Sequence, residues 1–314
     1  NAVILKPASL TAASAIALTE IISKQDIPKG LFNLVLGSGS DIGNKIATHP
    51  DIVAITFTGS VEVGRQLYKD SSLLLKKMQM EMGSKNPLVV MDDADLTTAI
   101  NCATNGAFGG TGQKCTASSR LIVHENIYKE FVDGLVESIK KLKVGHALDE
   151  GTNMGPASNQ SQYESNLNYV EVGKSEAKLI FGGNPMNMRT PGYYMEPTLF
   201  IDGDNKSRIN QEEMFGPIAC VIPTKNLDNA LEIANDTEFG LSSGIITQSL
   251  AKAEYFKQNI KTGVSTVNLP TAGLDYHVPF GGRKASSFGP REQGTYARDF
   301  YSQVKTSYIN SGSI

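Results

Sequence analysis

The sequence runs to 314 residues, of which 40% are hydrophobic and 19% charged. That is enough apolar material for two domains or one large α/β unit, and too much for a disordered chain. Lys and Arg number 29 against 32 Asp and Glu, with no basic run interleaved with aromatics, which argues against a nucleic-acid partner; no apolar stretch approaches the ~20 residues of a membrane span.

Residues 2–5 read as a short strand, which Pro7 breaks, and Ser9 is placed to cap a helix through about Ser23. A turn at residues 26–30 leads into a second apolar run, 31–36, then a Gly/Ser loop at 37–40 and a short helix from Asp41. Residues 52–57 are β-branched and apolar, which predicts a strand buried on both faces. Thr58, Gly59 and Ser60 turn into another helix, and 77–82 is the next strand. This βαβα order predicts a parallel doubly wound sheet. Asn86-Pro87 marks a break. Beyond it come a strand at 88–91, a helix from Asp95 and a strand at 120–123. An amphipathic helix over 126–143 carries Ile127, Phe131, Leu135, Ile139 and Leu142 on one side. Residues 151–197 are rich in Asn, Gly and Pro and are expected to be mainly loop. Helices are expected over 228–235 and 250–260, a Gly-rich basic loop over 279–294, and a final strand over 300–308.

Three cysteines lack C-x-x-C or Cys/His metal spacing, so neither a disulfide framework nor a zinc site is expected, and reduced thiols suit a cytoplasmic protein. Cys115 follows Gly109, Gly110 and Gly112, which let backbone approach a ligand, and the adjacent Lys114 would favour thiolate. The plainer reading, a small buried hydrophobe, is the default for Cys102 and Cys220. Glu81 sits among methionines at a strand end, as either a general base with a raised pKa or an ion-paired carboxylate; Glu213 has the same ambiguity. The loops from Gly37 to Gly43 and from Gly59 to Gly64 open helices, where backbone N–H groups can receive phosphate. Neither matches the dinucleotide fingerprint or a P-loop, yet two such loops on one sheet favour a nucleotide site. The histidines at 49, 124, 146 and 277 are scattered, and at this level a Cys/His hydrolase stays open.

In chain order, Leu5-Lys6-Pro7-Ala8, Phe57-Thr58-Gly59-Ser60 with Gly64, Glu81-Met82-Gly83-Ser84-Lys85, Gly112-Gln113-Lys114-Cys115, Glu213-Met214-Phe215-Gly216-Pro217 and Pro279-Phe280-Gly281-Gly282 resemble the aldehyde dehydrogenase superfamily over essentially the whole chain. Residues 267–273 and 290–294 resemble a narrower branch that oxidises α-ketoglutaric semialdehyde (2,5-dioxopentanoate) to 2-oxoglutarate. The resemblance implies an α/β fold: part of a Rossmann-type cofactor domain in 1–83, a catalytic α/β domain in 84–285, and a return to the cofactor domain with an oligomerisation strand in 286–314. It implies Cys115 as nucleophile, through a thiohemiacetal and a thioester, and Glu81 as the base that activates the hydrolytic water.

NADP or NAD is the implied cofactor, with Lys6 at the adenosine ribose, Ser60 at the pyrophosphate, Glu213 at the nicotinamide ribose and Phe215 beside the nicotinamide. Gly37, Gly59 and Gly64 are further expected contacts. Ser9 stands where NAD-preferring members carry a glutamate, so NADP is expected to be accepted. Arg283 and Arg291 are candidates for the distal carboxylate of a semialdehyde. A small aldehyde substrate, no metal, no membrane and a homodimer or homotetramer complete the expectation. The resemblance also implies that the family's first strands and its oxyanion-hole asparagine lie outside these residues, so the 314 residues alone are expected to be inactive or poorly folded. The alternatives are a catalytically incomplete fragment acting as an assembly partner, a dehydrogenase for another semialdehyde, and a cysteine hydrolase without a nucleotide.

Overall fold

The structure is a computed structural model and describes residues 1–312. The first part of the chain forms β1 (Val3–Leu5), α1 (Ala12–Ser23), β2 (Phe32–Leu34), α2 (Asn44–Thr48), β3 (Ala54–Thr58), α3 (Val61–Ser71) and β4 (Lys77–Glu81). The βαβα order yields parallel pairs, β1 with β2 and β3 with β4, but in separate small sheets rather than one doubly wound sheet. The expectation that residues 52–57 are buried on both faces fails for the same reason. In β3 only Ile55 is buried, and Val53 just before it is 64% exposed, because β3 is an edge strand with β4 alone as its neighbour. Ser9 does not cap α1: it lies in the 3-10 turn Ser9–Thr11, and neither end of that turn carries a side-chain cap bond. Ser60 does cap, its hydroxyl accepting from the Val63 N–H at 3.3 Å at the start of α3.

After a connection at residues 82–85, the rest of the chain builds a larger unit. Its elements are β5 (Asn86–Val90), α4 (Leu96–Phe108), β6 (Ser118–His124), α5 (Tyr128–Lys140), α6 (Gln160–Glu176), β7 (Lys178–Phe181), β8 (Thr198–Ile201), α7 (Arg208–Gln211), β9 (Ile218–Thr224), α8 (Leu227–Asn235), β10 (Ser242–Ile246), α9 (Leu250–Asn259) and β11 (Val264–Val267). The sheet order is β11-β10-β5-β6-β9-β8-β7, parallel except for β7. Alternation along its central strands divides the core. Leu88, Val90, Leu121 and Val123 face α4 and α5 through Ala103, Phe131 and Leu135. Val89, Met91 and Ile122 face α8 and α9 through Leu231 and Phe256. A third cluster, with Phe200, Ile218 and Cys220, lies under Val170 of α6.

The expected break at Asn86-Pro87 is the start of β5, with a register irregularity between the two residues; a proline is tolerated there because the ladder has only begun. Residues 151–197 are mainly loop, as expected, but they also hold β7 and the 17-residue α6, which the sequence did not signal. Asn159 caps α6, accepting from the Gln162 N–H at 2.8 Å, and only Asn166, Val170 and Gly173 are buried. With so narrow a buried stripe, the apolar periodicity gives no signal.

Near its end the chain returns to the first unit. The dipeptide β12 (Ser287–Phe288) pairs antiparallel with β4, making the three-stranded sheet β12-β4-β3. It is followed by α10 (Gly294–Phe300). The final strand expected over 300–308 is not formed: Phe300 ends α10, and residues 301–312 run without helix or strand, most of them exposed, with no ladder partner among the described residues. Residues 313 and 314 of the expected tail lie outside the described residues.

Candidate active site

Glu81 is the last residue of β4, at the carboxyl end of a parallel pair, where open α/β sheets place their ligand crevices. It is only 3% exposed. Burial raises its pKa to about 7, against hydrogen bonding from Ser287 and the Gly282 amide, with Glu292 raising it and Arg291 lowering it. The Ser287 hydroxyl donates to Glu81 Oε2 at 2.5 Å and accepts from the Gly282 N–H at 2.6 Å.

Cys115 lies between α4 and β6, on a loop whose path is fixed by left-handed backbone at Gly110, Thr111 and Gly112. Gly112 is dictated by space as well: a Cβ there would stand 2.1 Å from the Gly216 carbonyl oxygen. Asn86 Nδ2 donates to the carbonyls of Cys115 and Ala117, both at 2.8 Å, while its Oδ1 accepts from the Ser84 hydroxyl and the Ser242 N–H. The Thr271 hydroxyl donates to the Thr116 carbonyl at 2.6 Å. The backbone from the nucleophile candidate to Ala117 is thus held by two side chains, Asn86 and Thr271. The expectation that Lys114 favours thiolate is overturned. Lys114 is exposed with its side chain over Gly110, and burial pushes the Cys115 thiol up, reinforced by the carboxylates of Glu213 and Glu81. Cys102 and Cys220 are buried, and all three cysteines are free.

Glu213 is held against the connection between the two units. Its Oε1 accepts from the Ser84 N–H at 2.9 Å, and a Cβ on Gly83 would come within 2.2 Å of its Oε2. Burial raises its pKa as well. Phe215 follows with a left-handed backbone, φ 52°, and 37% of its surface exposed. Ser84, Gly112, Lys114, Glu213 and Phe215 line one narrow cleft beside the thiol loop.

The remaining candidates lie at other strand ends. Lys6 follows β1 and Gly37 follows β2; Lys6 Nζ donates to the carbonyls of Pro7 at 2.8 Å and Gly37 at 3.4 Å. Gly59 and Ser60 follow β3, and the Gly59 N–H donates to the Glu81 carbonyl at 3.1 Å. Gly64 is buried in α3 against Met82. Ser9 is exposed. Arg291 stands beside Glu81, its Nη1 donating to the Gly282 carbonyl. Arg283 lies apart on an exposed turn, its N–H bonded to the Gly240 carbonyl. Ser287, Asn86 and Thr271 escape the sequence reading because they act through contacts with distant segments. Among the described residues, no group of three or more His, Cys, Asp or Glu is arranged to hold a metal, and no helix is long and apolar enough to cross a membrane.

The sequence profile described as the aldehyde dehydrogenase family matches residues 1–307. The chain is 40% identical over 312 residues to the alpha-ketoglutaric semialdehyde dehydrogenase of Bacillus subtilis, covering 98% of this chain and 64% of that protein. It is also 40% identical over 317 residues to the betaine aldehyde dehydrogenase of Brucella anthropi, covering 100% and 64%. The crystal structure of an NAD-dependent aldehyde dehydrogenase from Sinorhizobium meliloti superposes with a TM-score of 0.96 at 34% identity, covering all of this chain and 62% of that one. The chain therefore spans just under two thirds of the relatives it matches.

Proposed function

Because the chain belongs to the aldehyde dehydrogenase family, we propose that the protein oxidises an aldehyde to a carboxylic acid with NAD or NADP. The observation that carries this reading is the nearness of one thiol, Cys115, to two carboxylates, the buried Glu81 and the half-buried Glu213, both of which act on it electrostatically, with Gly112 and Glu213 lining a cleft beside the thiol loop. Cys115, on losing its proton, adds to the aldehyde carbon to form a thiohemiacetal. A nicotinamide dinucleotide, when bound, would supply the hydride acceptor. The resulting thioester is hydrolysed by a water that Glu81 deprotonates, and a carboxylate held near pH 7 is matched to that task at neutral pH. Aldehyde, water and oxidised cofactor thus become acid, reduced cofactor and a proton.

The residues fit the cofactor. Glu213 has one oxygen on the Ser84 N–H and the other toward Gly83, where no side chain intervenes, a geometry suited to a ribose hydroxyl pair. Lys6, Gly37 and Ser60 stand at the carboxyl ends of β1, β2 and β3, and the N-terminus of α3 suits a phosphate. Ser9, which adds no negative charge, supports acceptance of NADP.

For the substrate we favour 2,5-dioxopentanoate, supported by the name of the Bacillus subtilis relative and by an arginine, Arg291, beside Glu81. Betaine aldehyde is the competing reading, since the Brucella anthropi protein is equally identical. The same reading takes a cytoplasmic homo-oligomer, supported by the free thiols and by exposed apolar side chains such as Val304, Tyr308 and Ile309. The test is reduced-nicotinamide formation from both aldehydes with each cofactor. The expected result is a specificity constant about ten-fold or more higher for 2,5-dioxopentanoate. Cys115→Ala should reduce turnover to background, and Glu81→Gln should lower steady turnover by about 10²–10⁴ while sparing an initial burst. Retained turnover in Cys115→Ala overturns the assignment.

A further inference from the structure

Glu81 is not simply buried; its carboxylate has a built seat. β12 is only two residues long, yet its register sets Ser287 directly opposite Glu81. The Met82 N–H donates to the Ser286 carbonyl at 2.8 Å, which holds the strand ends together. Ser287 then relays a hydrogen bond: the Gly282 N–H donates to its hydroxyl, and that hydroxyl donates to Glu81 Oε2. Arg291 closes the far side, donating to the carbonyl of the same Gly282. A Cβ on Gly281 would stand 2.7 Å from Glu81 Oε1 and 2.6 Å from Arg291 Nη1, so the backbone of the Gly281-Gly282 turn is pressed against both groups.

We infer that Ser287 is the positioning residue for the general base, holding the Glu81 carboxylate in one orientation and in its charged form through the relayed hydrogen bond. This rests on the reading of Glu81 as the base. A donor to a carboxylate favours ionisation, whereas burial opposes it. The charged groups that face Glu81 are Arg291 and Glu292 from the segment after β12, with the Cys115 thiol on the α4–β6 side. Arg291 and Glu292 oppose each other, which leaves the serine as the largest of the influences that favour the carboxylate. Its removal therefore moves the titration of Glu81 upward, and activity that needs the ionised base is lost at a higher pH.

The experiment follows the Glu81 carboxyl stretch by infrared difference titration, with Glu81→Gln as the blank, beside the pH profile of aldehyde turnover. In Ser287→Ala both midpoints are expected to rise by about 1 pH unit, and Ser287→Thr, which keeps the hydroxyl, is expected to return them. Ser287→Cys keeps the side-chain size with a weak donor and gives the same upward move if the alanine variant folds poorly. Unchanged midpoints in both the alanine and cysteine variants overturn the proposal. If the protein reduces no nicotinamide with any aldehyde, the functional reading fails, while the infrared midpoints still decide whether Ser287 seats Glu81.

Discussion

Lys85 follows Glu81 by four residues and is 1% exposed, with no hydrogen-bond partner for its Nζ. Burial, with Arg120 nearby, lowers its pKa to about 7 from 10.5. The sign of the stability effect follows from proton counting. Between pH 7 and 10.5 the unfolded lysine is charged and the folded one is not, so stability rises with pH through this window. Below pH 7 the whole penalty of burying the charge is present. Lys85→Met is expected to flatten this rise in urea-unfolding series from pH 7 to 9, and to be more stable than the native chain at pH 7 by about 1–3 kcal/mol, the usual cost of an unmet buried donor. Equal slopes would show that Lys85 is solvated. At this scale Cys115, Glu81 and Glu213 stand out in the sequence because glycines and methionines flank them, and the fold brings both carboxylates near enough to act on the thiol. Lys85 and Ser287 carry no local mark, since their properties come from segments far away in the chain.

The element that organises the thiol loop is the start of β5. Asn86 joins three segments with one amide: the Ser84 turn, the Cys115 loop and the first residue of β10. Asn86→Ala leaves two half-buried carbonyls, the buried Ser242 N–H and the Ser84 hydroxyl without that partner. The expected loss is about 1–3 kcal/mol in urea unfolding, together with faster modification of Cys115 by a thiol reagent as its loop loosens. Unchanged stability and thiol reactivity would show that the loop is held by Thr271 alone. Elements with a strong apolar stripe were legible in the sequence, among them α5 and α8, as was the cap of α4, where Asp95 accepts from the Thr98 N–H. The polar α6 was not, because helix periodicity reads burial and α6 buries little. All five strands of the large sheet beyond β6, β7 to β11, were also missed; Ser242 to Ile246 is buried on both faces but mixes serine, glycine and isoleucine, which hides it.

The molecule as a whole divides its core unevenly. The large sheet is sandwiched by helices over three apolar clusters, whereas β3 and β4 rest on Ala47, Ile55, Met78, Met80 and Met82. The pair β1–β2 contributes no buried residue. Opening free energies scale with such packing, so amide exchange is expected to be fastest in β1, β2 and β3 and slowest in β5, β6 and β9, which a peptide-resolved hydrogen-exchange course measures. Uniform protection across both units would sink this division. The parallel order of the first strands was readable from the βαβα rhythm, but their separation into two small sheets was not, since a sheet boundary is a property of pairing rather than of any one segment. One pairing also carries a consequence in time. The hydroxyl that seats Glu81 lies 206 residues further along the chain. At synthesis rates of about 5–20 residues per second, the ribosome exposes Glu81 roughly 10–40 s before Ser287 exists. During that interval β4 has a free edge and the carboxylate proposed as the base has no seat, so Glu81 takes up its final setting only after the segment that carries Ser287 has been made.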